Sequence, residues 1–334
     1  LRSLGVTSVL TTERTKEYGK ISRFGVEEFL MDNVIILRNV LSDEKRRRTI
    51  EILKFRGHTN VKGETPFTIV PDQAIVIIPL SVMGQKHRSL KTRVSSGVPK
   101  LDEMCGGGFY HDSVILVSGS TGAGKTLLVS SYVTGLKHEK ERSLLIVFEE
   151  STEQLHRNAK GWGKKFVELE KEGLLKIVSI YPESSSLEDH FINIEKTVKE
   201  FKPTRVAIDS LTTLVRNSTE KGFREFILAL TSLLKQEEVT VMFTATPPTL
   251  TGGISNTEDS ISSITDTIIL LRYVEMSGEM QRSISVLKLR GSEHDTAIRR
   301  FTIDNKGMEI GAPFEGVSGI LTGNQVIVME GKRG

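Results

Sequence analysis

The stretch that decides the fold is Ser113–Thr126, which reads SVILVSGSTGAGKT. Its first six residues are mostly apolar and β-branched, and such a short run before a glycine predicts a buried strand. Gly119–Thr126 has the pattern G-x-x-x-x-G-K-[ST], and the LLVSSYVTGL that follows has helical spacing. A strand, a glycine-rich loop and a helix start in this order predict a P-loop, whose backbone N–H groups surround phosphate oxygens. We expect Lys125 to contact the β- and γ-phosphates of a nucleotide.

Two further apolar runs end in acidic residues. Residues 143–148, SLLIVF, precede Glu149 and Glu150, and residues 204–208, TRVAI, precede Asp209. In a doubly wound sheet the carboxyl ends of the strands lie over the same crevice as the P-loop. Asp209 is therefore the expected Walker B carboxylate. The residues that we expect to hold Mg²⁺ are Thr126, Glu149 and Asp209.

Glu149 and Glu150 are candidates for the general base, because phosphoryl transfer needs an oriented nucleophile. The alternative is that they are exposed glutamates at the start of a helix, where the helix dipole favours negative charge. The sequence alone leaves both interpretations open.

The chain contains an internal repeat. Residues 32–38, DNVIILR, match residues 266–272, DTIILLR, and residues 46–57 match residues 280–291, always with an offset of 234. The second copy has the nucleotide motifs upstream of its matching part, whereas the first copy lacks that half. We therefore expect residues 1–80 to be the C-terminal half of a first domain, 81–92 a linker, 93–320 a second domain and 321–334 a short tail.

The repeat contains the same pair of cations twice, as Lys54-Phe55-Arg56 and as Lys288-Leu289-Arg290. Alternation at the period of a strand places both cations of a pair on one side. In ring-shaped ATPases such residues act on the γ-phosphate of the neighbouring subunit, as arginine fingers do. The alternative is a solvated strand face.

Composition excludes several classes of protein. The net charge of +3 gives no global signal for nucleic acid or membranes, and we expect the basic run Lys45–Arg48 to be a solvated turn or an interface. No apolar stretch reaches the ~18 residues of a membrane span. The single cysteine, Cys105, excludes an intrachain disulfide and fits a cytoplasmic protein, and we expect it to be a buried, inert thiol.

Several stretches resemble the KaiC family of circadian-clock ATPases and autokinases. Similarity to the second KaiC domain is found in RVSSGVPKLDEMCGGG, FEESTEQL, IDSLTTL, SSITDTIILL and KLRGSEHD. Similarity to the end of the first domain is found in TTERTKEYGKISRFGVEEF and EILKFRGHTNVKGETPFTI. The resemblance implies an α/β fold, namely a RecA-like P-loop NTPase with a doubly wound, mostly parallel sheet. The C-terminal half of another RecA-like domain would precede it.

The resemblance also implies an activity and an assembly. KaiC proteins form hexamers with ATP between subunits, and the second domain phosphorylates an adjacent Ser-Thr pair and can reverse that reaction. The pair falls on Ser262 and Ser263, with serine in place of the family's threonine. In an extended segment these two side chains would point in opposite directions. The first copy has Glu28 and Phe29 at these positions, so the hydroxyls occur in the second copy alone.

The ATP contacts implied by the resemblance lie in both copies. In the second copy they are Gly119, Thr121, Gly122, Ala123, Gly124, Lys125, Thr126, Leu127, Trp162, Arg282, Lys288, Leu289, Arg290, Ser292, His294 and Thr296. In the first copy they are Lys54, Phe55, Arg56, His58 and Asn60. For Trp162 two interpretations are equally good: it covers an edge of the nucleotide base, or it is buried in the protein core.

The partners implied by the resemblance are further copies of the chain and KaiB, which binds the first domain. The short end after residue 320 argues against KaiA, which family members recruit through a long C-terminal tail. Two other functions remain open on the sequence. One is a RecA/DnaB-like motor on nucleic acid, which the charge does not favour, and the other is a nucleotide-gated scaffold, against which Lys125, Glu149 and Glu150 argue.

Overall fold

The computed structural model describes residues 5–13, 16–19, 30–42, 45–60, 62–71, 74–78, 92–138, 141–216, 218–247, 261–276, 278–315, 317–318 and 326–327. The chain forms two compact units, Leu1–Val82 and Met83–Gly334. The expected linker at 81–92 lies outside the described residues except for its last residue. The expected tail at 321–334 is described only at Val326–Ile327.

The first unit contains a four-stranded antiparallel sheet in the order β1-β2-β3-β4. Its strands are β1 (Asn33–Ser42), β2 (Lys45–Phe55), β3 (Glu64–Val70) and β4 (Ala74–Ile77). The side chain of Arg38 is buried in this unit and forms ion pairs of 2.6 Å with Glu51 and 3.4 Å with Glu64. Such pairing is required of a buried guanidinium, which cannot lose its charge.

The basic run Lys45–Arg48 forms the beginning of β2, so the expectation of a turn is wrong. Its residues pair with the end of β1, with Arg46 opposite Leu41 and Arg47 opposite Val40. The Arg46 guanidinium also donates a hydrogen bond of 3.1 Å to the carbonyl of Asn39. Long cationic side chains are common on strands whose outer face meets water.

The second unit contains a large nine-stranded sheet with helices between its strands, and two small sheets of two strands each. The strands are β5 (Arg93–Val94), β6 (Phe109–Tyr110), β7 (Val114–Gly119), β8 (Ser143–Val147), β9 (Leu175–Ser179), β10 (Arg205–Asp209), β11 (Thr240–Ala245), β12 (Thr267–Met276), β13 (Glu279–Leu289), β14 (Arg299–Asp304), β15 (Gly307–Pro313), β16 (Val317–Ser318) and β17 (Val326–Ile327). The α-helices are α1 (Pro99–Met104), α2 (Lys125–Thr134), α3 (Thr152–Gly161), α4 (Phe166–Lys171), α5 (Leu187–Phe201), α6 (Leu211–Arg216) and α7 (Glu220–Gln236). Pro182–Ser184 forms a 3₁₀ turn.

The large sheet has nine strands in the order β15-β14-β13-β12-β7-β11-β10-β8-β9. The strands from β12 to β9 in this order are parallel, and β13, β14 and β15 add an antiparallel edge. The predicted α/β, mostly parallel sheet is thus confirmed, and the three predicted strands agree to within one residue. In the part of the chain that is described, no helix is long and apolar enough to cross a membrane.

The core of the second unit lies between this sheet and its helices. All residues of β7, β8 and β11 are buried, which explains why these strands appear in the sequence as continuous apolar runs. Cys105 belongs to the same core, and burial raises the pKa of its thiol to about 12. The expectation of a buried thiol is therefore confirmed, and the raised pKa disfavours the reactive thiolate.

The repeat in the sequence is a repeat in the structure. The hairpin β1–β2 and the hairpin β12–β13 have the same register at an offset of 234, and each has a β-bulge at the same place. In the first hairpin the bulge follows Val34, which pairs with Lys54, and in the second it follows Ile268, which pairs with Lys288. The residues Leu53 and Leu287, left without a partner in each register, are both exposed. The bulge is thus a feature encoded twice in one chain.

Close packing around Gly97 predicts a large effect of a single methyl group. The backbone of Gly97 has φ +78°, and a Cβ there would lie 1.9 Å from the carbonyl oxygen of Ser131. We expect Gly97→Ala to lower the free energy of unfolding by at least about 2 kcal/mol, since backbone strain adds to the clash. Urea denaturation followed by Trp162 fluorescence measures the change.

Gly161→Ala is the matched control. Gly161 is the last residue of α3, and a Cβ there would meet no atom within 4 Å. We expect a change of less than about 1 kcal/mol for it. Equal effects of the two variants would contradict the role assigned to Gly97.

Candidate functional site: a nucleotide cleft

The P-loop connects β7 to α2. Gly122 and Gly124 have φ values of +77° and +103°, a region that side chains with a Cβ rarely adopt. A Cβ on Gly119 would lie 2.8 Å from the carbonyl oxygen of Leu271, so this position also requires glycine. The loop therefore turns within a few residues and leads directly into the N-terminus of α2, where a helix favours an anion.

Lys125 is the first residue of α2, and its side chain is buried. Its Nζ donates hydrogen bonds of 2.7 Å to the carbonyl of Gly119 and 3.0 Å to that of Ser120. Burial lowers the pKa of the Lys125 ammonium, whereas the nearby carboxylates of Asp209 and Glu149 act in the opposite direction. Lys125 thus lies across its own loop with a charge that anionic groups stabilise.

Asp209 is held by two hydroxyl groups at the end of β10. The Oγ1 atom of Thr126 donates a hydrogen bond of 2.7 Å to its Oδ2, and the hydroxyl of Thr244 donates to its Oδ1. This contact joins the P-loop helix to the end of a strand two places away in the sheet. It also brings together a hydroxyl and a carboxylate, which are the oxygen ligands that Mg²⁺ prefers beside phosphate.

Glu149 and Glu150 follow β8 and precede α3. Glu149 accepts a hydrogen bond of 2.5 Å from the Thr213 hydroxyl, and Glu150 accepts one of 3.3 Å from the amide of Asn158. Burial raises the pKa of Glu150, and the Asp209 carboxylate adds to this effect. The N-cap of α3 is Ser151, so neither glutamate lies within the helix.

These groups surround one cleft of about 360 Å³. The residues predicted from the sequence that line it are Thr121, Gly122, Gly124, Lys125, Thr126, Leu127, Glu149, Glu150, Trp162 and Asp209. Gly119 ends β7, and Ala123 is buried below the loop. Thr126, Asp209 and Glu149 all line this cleft, so a hydroxyl and two carboxylates give a donor set that fits a hard divalent cation beside phosphate.

Another predicted group lies away from the cleft of its own chain. Lys288 donates hydrogen bonds of 2.9 Å and 2.8 Å to the carbonyls of Ser262 and Thr265, and Arg290 donates one of 2.9 Å to that of Ser263. Both cations therefore reach the same segment, as the alternation predicts. The remaining predicted contacts that do not line the cleft are Arg282, Leu289, Ser292, His294 and Thr296.

The segment with the predicted phosphoacceptors is not extended, so the opposite orientation that an extended segment would give to Ser262 and Ser263 does not apply. The N–H groups of Ile264 and Thr265 both donate to the carbonyl of Ile261, which closes a helical turn. In a helix successive side chains diverge by about 100° rather than pointing in opposite directions. Ser263 is exposed and Ser262 is half-buried.

Comparison with known proteins places this cleft in a family. The family model described as "ATPase: KaiC" matches residues 1–82 and again residues 94–315. The chain is 59% identical over 323 residues to the Circadian clock protein KaiC3 of Synechocystis sp., which covers 97% of this chain and 64% of that protein. The chain belongs to the KaiC family of ATPases.

Two further relatives carry the name Circadian clock oscillator protein KaiC. The one from Thermostichus vulcanus is 55% identical and the one from Synechococcus elongatus is 54% identical, and each match covers 97% of this chain and 62% of the relative. The chain thus spans less than two thirds of the length of these KaiC proteins.

The KaiC match to the first unit includes its predicted ATP contacts. The Arg56 guanidinium pairs with Asp32 at 3.1 Å, and the ring centroids of Phe55 and His58 are 5.3 Å apart. The amide of Asn60 donates to the carbonyl of Ile52. These residues cluster at the end of the β1–β2 hairpin.

Some residues of the KaiC cleft were not predicted from the sequence. They are Val147, Asn158, Ser210, Thr246 and Ile303. Thr246 directly follows the buried strand β11, and the rule that strand ends face the crevice would have found it. Ile303 lies on β14 of the antiparallel edge, and no sequence pattern connects that strand to the P-loop.

Trp162 provides a direct test of the cleft, because it is the single tryptophan of the chain and lines the cleft. We expect Lys125→Ala to weaken ATP binding at least about 100-fold, since a charge-assisted contact to phosphate is lost. Titration of Trp162 fluorescence with Mg-ATP measures the affinity.

Lys199→Ala serves as the control, because Lys199 pairs with Glu195 on the exposed surface of α5. Its affinity for ATP should equal that of the unchanged protein. An unchanged affinity in Lys125→Ala would contradict the assignment of the P-loop.

Proposed function

We propose that the second unit binds Mg-ATP in this cleft, hydrolyses it slowly, and transfers its γ-phosphate to Ser262 and Ser263 of a neighbouring copy within a hexamer. The observation that supports this proposal most directly is that one cleft is lined by Lys125, Thr126, Asp209, Glu149 and Glu150. In the reverse direction the phosphoryl group passes from the serine oxygen back to ADP, which forms ATP and returns the two serines to free hydroxyls. The phosphorylation state would then serve as a timing signal, which is in keeping with relatives that carry the name of circadian clock proteins.

The roles of the cleft residues follow from their contacts. Lys125 binds the β- and γ-phosphates after releasing the carbonyls of Gly119 and Ser120, and the loop N–H groups bind the remaining phosphate oxygens. Thr126, Asp209 and Glu149 would hold Mg²⁺, which supplies neutralisation of phosphate charge when bound. Thr244 keeps the Asp209 carboxylate in place through its hydroxyl.

Glu149 is our choice for the general base. Its contact with Thr213 orients the carboxylate, and its position at the exposed mouth of the cleft is open to an incoming hydroxyl. In the transfer step the serine Oγ forms a bond to the γ-phosphorus while the bond from that phosphorus to the bridging oxygen breaks and ADP leaves. Glu149 takes the hydroxyl proton. In hydrolysis a water molecule replaces the serine.

Lys288 and Arg290 would act in trans on the nucleotide of the adjacent copy. This role is supported by two observations: neither cation lines the cleft of its own chain, and both donate hydrogen bonds to the turn that contains the two serines. Acceptor and cations would then approach a neighbouring cleft together. KaiB is the proposed partner of the first domain.

Replacement of the base provides the first test. Glu149→Gln preserves shape and hydrogen bonding but removes the basic oxygen, so we expect ATP affinity to persist. The rate of phosphate incorporation should fall by about 10²–10⁴-fold. Mass spectrometry of Ser262 and Ser263 after incubation with Mg-ATP measures the rate.

Glu153→Gln is the matched control, because Glu153 is an exposed glutamate in the first turn of α3. If both variants phosphorylate at the normal rate, Glu149 is not the base. Labelled phosphate at the original level in the Ser262→Ala, Ser263→Ala double variant would contradict the choice of acceptors. Turnover that rises on addition of DNA would favour a nucleic-acid motor instead.

Mixed rings test the action in trans. Arg290→Ala protein lacks the proposed cation but keeps its own cleft, whereas Lys125→Ala protein lacks the cleft but keeps Arg290. We expect each variant alone to keep only a small, measurable residual ATP turnover. A mixture should regain part of the lost turnover, because some interfaces combine an intact cleft with an intact arginine. Turnover is measured on rings shown to be mixed by native mass spectrometry, and no recovery there would contradict action in trans.

A further inference from the structure

The two hairpins of this chain share an ion pair as well as a bulge. In the second unit Asp266 precedes β12, and its Oδ1 lies 3.6 Å from Nη1 of Arg290, which follows β13. In the first unit Asp32 precedes β1, and its Oδ1 lies 3.1 Å from Nη1 of Arg56. In both cases the main-chain N–H of the arginine also donates a hydrogen bond to the main-chain carbonyl of the aspartate, at 2.9 Å for Arg290 and 3.0 Å for Arg56. The same atoms are therefore paired twice.

Other charged contacts of the two hairpins are not shared. Arg38 and Arg272 are equivalent in the repeat, yet Arg38 is paired with Glu51 and Glu64 while Arg272 contacts the hydroxyl of Ser118 at 3.5 Å. The Asp–Arg pair is thus retained where a neighbouring charged residue has changed its partners. Stability alone explains this poorly, because exposed ion pairs contribute only about 0–1 kcal/mol.

Asp266, which contacts Arg290, is itself held in place by hydrogen bonds to the central sheet and to Lys235. Its Oδ2 accepts hydrogen bonds of 2.9 Å from the N–H of Val114, at the start of the P-loop strand, and 3.1 Å from Nζ of Lys235. The main-chain N–H of Asp266 donates to the carbonyl of Val114 at 2.8 Å. The carboxylate is therefore anchored on the central sheet, and its other oxygen faces the guanidinium.

The orientation of Arg290 leaves part of its guanidinium available. One nitrogen, Nη1, faces Asp266 and the other, Nη2, donates to the carbonyl of Ser263, while the side chain as a whole is 53% exposed. A planar guanidinium with five N–H donors can keep these two contacts and still present donors to phosphate. The preceding β-bulge turns the strand end, as bulges beside active sites often do.

We propose that Asp266 is a positioning residue for Arg290, and that Asp32 does the same for Arg56. The carboxylate holds the guanidinium in the direction needed to meet the phosphate of a neighbouring copy. The same guanidinium stays bonded to the turn that contains Ser262 and Ser263. This inference rests on the proposed action of Arg290 in trans. It adds the anchor that determines where that arginine points.

The test replaces the carboxylate with its neutral isostere. Asp266→Asn keeps an oxygen for the N–H of Val114 but removes the charge that faces Arg290. We expect kcat for ATP turnover and the rate of serine phosphorylation to fall about 10-fold, since small displacements of an acting group are costly. The affinity for Mg-ATP from Trp162 fluorescence should change less than about twofold, because the residue's own cleft is intact, and Asp266→Glu should recover most of the rate.

A matched control separates positioning from general loss of charge. Glu195 forms an ion pair of 2.6 Å with Lys199 on α5, and its side chain is 27% exposed, compared with 21% for Asp266. Glu195→Gln should leave turnover unchanged. A rate in Asp266→Asn equal to that in Glu195→Gln would overturn the proposal.

Two combinations then show whether Asp266 acts through Arg290. In the Arg290→Ala background Asp266→Asn should cause no further loss of rate, because the group that it positions is gone. Rings mixed from Asp266→Asn and Lys125→Ala protein should regain turnover as Arg290→Ala rings do. The proposal is overturned if the double variant is slower than Arg290→Ala alone. It is also overturned if rings mixed from Asp266→Asn and Lys125→Ala protein regain no turnover while those with Arg290→Ala do. Either result leaves the role of Arg290 in trans unaffected.

Failure of the proposed function gives a different result. If mixed rings of Arg290→Ala and Lys125→Ala protein show no recovery, the role of Arg290 in trans is wrong and that of Asp266 falls with it. Should Asp266→Asn fail to fold, the same cycle is performed with Asp266→Glu, which retains the charge. The smaller loss of rate that Asp266→Glu causes must then be absent when the same change is made in the Arg290→Ala variant.

Discussion

The hydrogen bond between Thr126 and Asp209 is the contact on which the arrangement of the cleft depends. It joins the first turn of the P-loop helix to the end of β10, across the strand β11 that lies between β7 and β10. Because these strands are parallel, their carboxyl ends share one edge, and that edge is where the loop, the two glutamates and Asp209 meet. Removal of the parallel order would separate the groups even if each local motif were kept.

Much of this site could be predicted from the sequence because its parts are local or follow from strand direction. The P-loop is a contiguous motif, and the acidic residues directly follow buried apolar runs whose ends had to lie near it. The helical turn at Ser262 could not be predicted, because two serines and a threonine give no periodic signal. Ile303 reaches the cleft only through the pairing of β13 with β14, which is a tertiary fact.

The two hairpins show which properties are local and which are not. Register and bulge are the same in both, since they depend on the sequence of the hairpin itself. Burial is not the same: Ile35 and Leu37 are exposed, whereas their equivalents Ile269 and Leu271 are fully buried in the core. In the second unit that core includes Leu128 and Val129 of the P-loop helix. The environment of a strand is therefore set by the helices that cover it and not by its own pattern.

The balance of charge in the cleft gives an independent reason to look beyond a single copy. Among the described residues that line it, Lys125 is the one cation, whereas three carboxylates, those of Glu149, Glu150 and Asp209, line the same cleft. The phosphates of ATP would add further negative charge to a partly buried space, where unpaired charges are costly. A divalent cation offsets part of this charge, and the rest calls for cations from outside the lining of the cleft. Lys288 and Arg290 donate hydrogen bonds to the turn that contains Ser262 and Ser263, so a neighbouring cleft that recruited these cations would also receive the two proposed acceptors. Charge neutralisation and delivery of the acceptor would then be the same event.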